Sequence, residues 1–132
     1  MPDNNNDSHS LFDGVKEFNL VDFDKYRELF GQIGRSQQPH TLFIGCSDSR
    51  VVPNLITKTL PGELFMVRNI ANIVPVYRES EEFLSTTSAI EYAVQVLNVS
   101  TIIVCGHSNC GGCSALFADE NTLRHIPHTR KW

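Results

Sequence analysis

Residues able to hold a metal or move a proton crowd into two short stretches of this chain. Residues 46–50 read Cys-Ser-Asp-Ser-Arg, and residues 105–113 read Cys-Gly-His-Ser-Asn-Cys-Gly-Gly-Cys. Zinc takes thiolate and imidazole ligands tetrahedrally, and a catalytic zinc keeps three protein ligands with its fourth position open. Cys46, His107 and Cys110 supply such a set, two sulfurs and one nitrogen. Asp48, two residues from Cys46, could orient a bound hydroxide or occupy the fourth position itself. Arg50 offers that carboxylate a planar fork, which holds it ionised and steers it away from a metal. The same residues admit a second chemistry. Cys110 and Cys113 form a C-x-x-C pair at the start of an expected helix, the spacing of a redox dithiol. That reading leaves His107 and the Cys-Ser-Asp-Ser-Arg run unexplained. The plainest alternative for the latter is a strand-end turn closed by an Asp–Arg pair.

The elements that must position these groups are legible from periodicity. Thr41 to Cys46, Thr-Leu-Phe-Ile-Gly-Cys, is short, apolar and preceded by Pro39, which suits a buried strand. A second strand is expected at Glu63 to Asn69, after the turn signal Pro61-Gly62. A third is expected in Ser100 to Gly106, a β-branched run. Leu20, Phe23, Phe30 and Ile33, with Tyr26 and Leu29, predict an amphipathic helix ended by Gly31 and Gly34. Residues 85–98 predict a helix with Thr87, Ile90, Val94 and Leu97 on one face and a Ser or Thr N-cap. Strand, helix, strand, helix implies a parallel sheet flanked by helices, an α/β fold with right-handed crossovers. Ligands of open α/β sheets collect beyond the carboxyl ends of the strands. Cys46 ends the first strand and His107 follows the third, so the two stretches meet if those strands are neighbours.

Composition bounds the rest. At 132 residues, with 41% hydrophobic and 20% charged residues, the chain is a globular protein large enough for one core. No run approaches the roughly 18 apolar residues of a membrane span, and a net charge of -4 argues against a broad nucleic-acid footprint. The polar start, Met-Pro-Asp-Asn-Asn-Asn-Asp-Ser-His-Ser, lacks the basic and apolar regions of a signal peptide. Residues 1–19 are expected to be a disordered or extended lead-in, His9 included, and residues 20–132 the zinc-binding domain of a cytoplasmic protein. Clustered cysteines in a reducing compartment serve metals or catalysis more often than disulfides. Cys105 reads as buried core in its strand, and Cys113 as a small apolar residue on the first turn of a helix. His40, His125 and His128 read as solvated.

Taken together, Cys-Ser-Asp-Ser-Arg at 46–50, His-Ser-Asn-Cys at 107–110 followed by Gly111-Gly112, and the intervening blocks at 61–75 and 88–99 resemble the β-class carbonic anhydrases. The resemblance runs from about Leu20 through Phe117. It implies Cys46, His107 and Cys110 as ligands of one Zn2+ per chain, and Asp48 with Arg50 as the catalytic dyad. It further implies Gln37 as a substrate-pocket residue, Phe65, Ile70 and Tyr92 as an apolar pocket wall, and Gly111 as a backbone N–H donor to substrate. The activity implied is reversible hydration of CO2 to bicarbonate and a proton by zinc-bound hydroxide, in a homodimer or higher homo-oligomer. Bound zinc makes hydroxide available near neutral pH. Two thiolates cancel more of its charge than three histidines would, so activity is expected to rise above neutral pH. Relatives that act on carbonyl sulfide or carbon disulfide offer an enzymatic variant, and a zinc-binding remnant without turnover a non-catalytic one.

Two departures from the family pattern stand out. Family members continue well past the second metal motif, whereas this sequence stops at Trp132, so the C-terminal part of the family fold is expected to be missing. Some members carry an allosteric bicarbonate pocket with a Trp three residues before the first zinc cysteine; that position is Phe43 here.

Overall fold

A computed structural model describes residues 7–79 and 82–132, and of residues 7–9 the backbone alone. The chain forms two compact units that divide between Gln37 and Gln38.

The first unit is helical. Helix α1 spans Asp7–Glu17, a π-type turn spans Phe18–Asp22, and helix α2 spans Phe23–Ile33. Residues 7–17, expected to be disordered or extended, are therefore helical, because Leu11, Phe12, Val15 and Phe18 recur at helical spacing behind the polar start. Residues 1–6 of that lead-in and the side chain of His9 lie outside the described residues. The helix expected from Leu20 is also divided, its first turn being the π-type one, and it runs through Gly31 to a C-cap at Gly34. Phe18, Phe23, Tyr26 and Phe30 cluster, with Phe23 and Phe30 stacked at 5.6 Å. Leu11, Phe12 and Leu20 stay largely exposed.

The second unit is the expected α/β fold, a parallel sheet with flanking helices. Strands β1 (Thr41–Cys46), β2 (Leu64–Asn69) and β3 (Thr101–Cys105) form a parallel sheet in the order β2-β1-β3. Strand β1 is buried along its whole length, as its continuous apolar run requires of a central strand. Short helix α3 (Pro53–Thr57) lies on the path from β1 to β2, with Pro53 at its first position. It ends at Lys58, which sits in the left-handed region. From β2 the chain passes through helix α4 (Leu84–Gln95) to the far side of β1. Leu42, Ile44, Val67 and Ala93 form the core, packed by Phe65, Ala89, Ile90 and Val99.

The buried residues of α4 are Thr86 and Ala93, with Ala89 and Ile90 half-buried, so of the expected line through Thr87, Ile90, Val94 and Leu97 only Ile90 packs on the core and the inner face is rotated toward Thr86 and Ala93. Three of these four inward residues are small, which lets the helix backbone approach the sheet closely. The expected Ser or Thr N-cap is also displaced: Phe83 holds that position in the left-handed region, its ring edge-on to Trp132 at 5.0 Å. Strand β3 departs most from expectation. It pairs with β1 on one side, yet Ile102 and Val104 are each 52% exposed and Cys105 is half-buried. Helices α5 (Gly111–Ala115) and α6 (Pro127–Lys131) complete the unit.

Candidate metal centre

Because β1 and β3 are direct neighbours in parallel register, with Gly45 opposite Cys105, the loops after both strands leave the sheet at one edge. This brings Cys46, His107 and Cys110 together. Their ligand atoms all lie within 4.8 Å of one another, and the two sulfurs are 3.8 Å apart. Tetrahedral zinc with Zn–S bonds of about 2.3 Å separates two sulfurs by about 3.8 Å. His107 Nδ1 donates to the Ser108 carbonyl at 2.9 Å, which fixes the tautomer and turns Nε2 into a lone-pair donor. That Nε2 atom is buried and has no hydrogen-bond partner among the described residues. A buried imidazole nitrogen without a partner, facing two thiols, is the arrangement a metal ion satisfies.

The charges around the cluster point the same way. Burial pushes the Cys46 thiol up. Against that work the Asp48 N–H, the His107 ring, the Ala71 N–H and Cys110, which together lower it to about 7. The nearby Cys46 sulfur correspondingly raises His107. Cys113, exposed rather than packed as an apolar residue, is pushed up by its contact with Cys110. All four cysteines are free thiols.

Asp48 and Arg50 stand beside the donors. The Asp48 carboxylate takes the Arg50 fork on both oxygens, Nε at 2.9 Å and Nη2 at 2.7 Å, and the Arg50 backbone N–H at 2.9 Å. These bonds hold it well below the usual carboxylate range and raise Arg50 in turn. Asp48 Oδ2 lies 3.8 Å from His107 Nε2. Arg50 Nη2 also donates to the Asn109 carbonyl at 3.1 Å, so one guanidinium ties the loop after β1 to the loop after β3.

The remaining expected residues are more scattered. Phe65 and Tyr92 stack with centroids 5.9 Å apart, one on β2 and one on α4. Ile70 lies at the start of the turn after β2, against Gly112. Space beside Gly111 is open, since a β-carbon there would meet nothing within 4 Å. Gln37 ends the first unit. A groove of about 490 Å³ lies elsewhere, between Val74, Pro75 and Tyr77 on one side and Ile90 and Val94 of α4 on the other.

Sequence reasoning missed two contributors. Ala71, in the left-handed region at φ 67°, turns its N–H onto the Cys46 sulfur. Arg68 reaches back from β2 to the loop that carries Asp48. A backbone donor leaves no mark on residue type, but a lone arginine near the end of an apolar strand is a signal that could have been read.

A parallel α/β sheet with a Cys-His-Cys cluster and an Asp–Arg pair at its carboxyl edge defines a class of zinc-dependent enzyme. The chain belongs to the β-class carbonic anhydrases: the profile of the carbonic anhydrase family matches residues 41–132. Carbonic anhydrase from Helicobacter pylori strain J99 is 45% identical over 123 residues, covering 92% of this chain and 56% of that protein. Among solved structures, the β-carbonic anhydrase CcaA superposes with a TM-score of 0.87 at 40% identity, over 94% of this chain and 55% of the other. One of two tetrameric β-carbonic anhydrases from Sordaria macrospora superposes with a TM-score of 0.72 at 38% identity, over 84% and 54%. The chain thus spans about half the length of the relatives it matches. No helix among the described residues is long and apolar enough to cross a membrane.

Proposed function

We propose that this chain hydrates CO2 to bicarbonate reversibly at one zinc ion held by Cys46, His107 and Cys110. The observation that carries the reading is the unpartnered His107 Nε2 facing two sulfurs 3.8 Å apart, with the Asp48–Arg50 pair alongside. Bound zinc would supply hydroxide near neutral pH and a Lewis acid.

The protein's own groups do the rest. Asp48, kept ionised by Arg50, can only accept hydrogen bonds, so it orients an O–H beside the donors rather than protonating it. Arg50, fastened to Asn109, keeps that carboxylate from swinging. The stacked Phe65 and Tyr92 rings, with Ile70, would form the apolar wall against which CO2 rests, the Gly111 N–H binding one of its oxygens. In this reading the chain works as a homodimer or larger assembly, in keeping with the exposed apolar side chains of α1. Its four free thiols suit a reducing compartment such as the cytoplasm.

The test is metal analysis joined to stopped-flow CO2 hydration. One zinc per chain with rapid hydration is expected; zinc without turnover would leave a metal-binding domain only. Cys46→Ala separates the redox alternative, since a Cys110–Cys113 dithiol would survive the change and a zinc centre would lose its metal.

A further inference from the structure

Arg68, the fifth residue of β2, faces Gly45 across the ladder. Its guanidinium does not meet a carboxylate in any described contact. Instead it gathers three backbone carbonyls from the loop after β1. Nε donates to the Cys46 carbonyl at 3.0 Å, and Nη2 spends both its hydrogens, on Asp48 at 2.7 Å and on Val51 at 2.8 Å. The next residue adds to the grip, the Asn69 carbonyl accepting the Ser47 N–H at 2.7 Å. The Asp48 carbonyl so held also accepts the Val51 N–H at 3.0 Å, which closes the turn. Hydrogen bonds from a charged donor are stronger than neutral ones, and this fork spans the loop from its first zinc donor to the residue beyond Arg50.

We infer that Arg68 is the positioning residue of this centre: its fork sets the path of the Cys46–Val51 loop, and so the placement of Cys46 and Asp48 at the metal. The inference rests on the zinc reading of the site. Peptide planes are rigid, so fixing the Cys46 and Asp48 carbonyls also fixes how the chain between them turns. That turn aims the Asp48 N–H at the Cys46 sulfur and its carboxylate at Arg50. Lysine cannot replace the fork, because one ammonium does not reach three carbonyls in divergent directions.

The test compares the parent chain with Arg68→Lys and Arg68→Ala. Zinc affinity is measured by chelator competition, and coordination by the thiolate-to-metal and d–d bands of the cobalt-substituted protein. Both variants are expected to bind zinc about 10- to 100-fold more weakly, as loss of a supporting partner does at other metal sites. Their cobalt spectra shift, and millimolar guanidinium returns the Arg68→Ala spectrum toward the parent's. Arg68→Lys with unchanged zinc affinity and spectrum overturns the inference. So does an Arg68→Lys chain that loses zinc only because far-ultraviolet dichroism finds it unfolded, since the role would then be general to the fold. Neither readout needs turnover, so a chain that fails to hydrate CO2 sinks the proposed activity without touching this result.

Discussion

Gly112 lies so close to Ala71 that a β-carbon added to it would stand 2.8 Å from the Ala71 β-carbon and 2.7 Å from Ile70 Cγ2. The start of α5 and the turn after β2 thus pack too closely to admit a side chain between them, and that turn carries the N–H aimed at Cys46. Gly112→Ala should force the turn outward and destabilise the fold by about 1–3 kcal/mol, the usual cost of overpacking. Zinc affinity should fall with it. Gly111→Ala, one residue earlier and facing open space, should leave both unchanged. Thermal melts with and without zinc check the pair, and equal melts for the two variants would contradict the close approach.

The Asp48–Arg50 pair makes a separate prediction. Asp48→Asn keeps the shape but turns one oxygen into a donor and removes the charge that Arg50 holds. Zinc content should stay at one per chain while CO2 hydration falls roughly 100-fold or more, the range for losing a positioned proton acceptor. Metal analysis beside stopped-flow assay checks it, and an Asp48→Asn chain with parental turnover would remove Asp48 from the chemistry.

Metal removal should be read in stability as well as rate. Binding to the folded chain alone stabilises it in proportion to the logarithm of ligand over dissociation constant. Dialysis against a strong chelator should therefore lower the melting temperature and abolish hydration, and added zinc should restore both. Cys46→Ser should melt like the chelated parent and gain nothing from added zinc. A zinc-dependent melt in Cys46→Ser would place the metal elsewhere.

Far from the metal, Glu63 gives a prediction in pH. Its carboxylate accepts the Leu60 N–H and pairs with His40 at 3.3 Å, and its pKa is lowered, chiefly by the first contact. A lowered folded pKa means that the contribution is complete above the unfolded value of about 4.3 and is lost as pH falls through the folded one. Glu63→Gln should accordingly be less stable than the parent near neutral pH, and the gap should close in acid. Denaturant midpoints across that range measure it, and a gap that widens in acid would reverse the assignment.

The helix faces mark where periodicity stops being sufficient. Thr87, Ile90, Val94 and Leu97 line up at helical spacing along and just past α4, yet only Ile90 of them packs on the core, beside Thr86, Ala89 and Ala93. Periodicity ranks side chains by hydrophobicity, while close packing on a sheet favours small ones. Likewise the polar start hid α1, whose apolar residues begin only at Leu11.

The candidate metal donors, by contrast, were legible in residue type and order. Two sulfurs, an imidazole and an adjacent Asp–Arg pair are chemically marked side chains, and the strands before them are marked by apolar runs. Sequence alone therefore determined which groups could meet, the parallel α/β class and the family. Tertiary structure decided what holds them there. That β1 and β3 are neighbours turned two distant loops into one site. The Ala71 N–H on Cys46 and the three carbonyls under Arg68 are main-chain groups. Every residue carries the same main-chain donor or acceptor, so only the folded path of the chain selects which of them point at the metal centre.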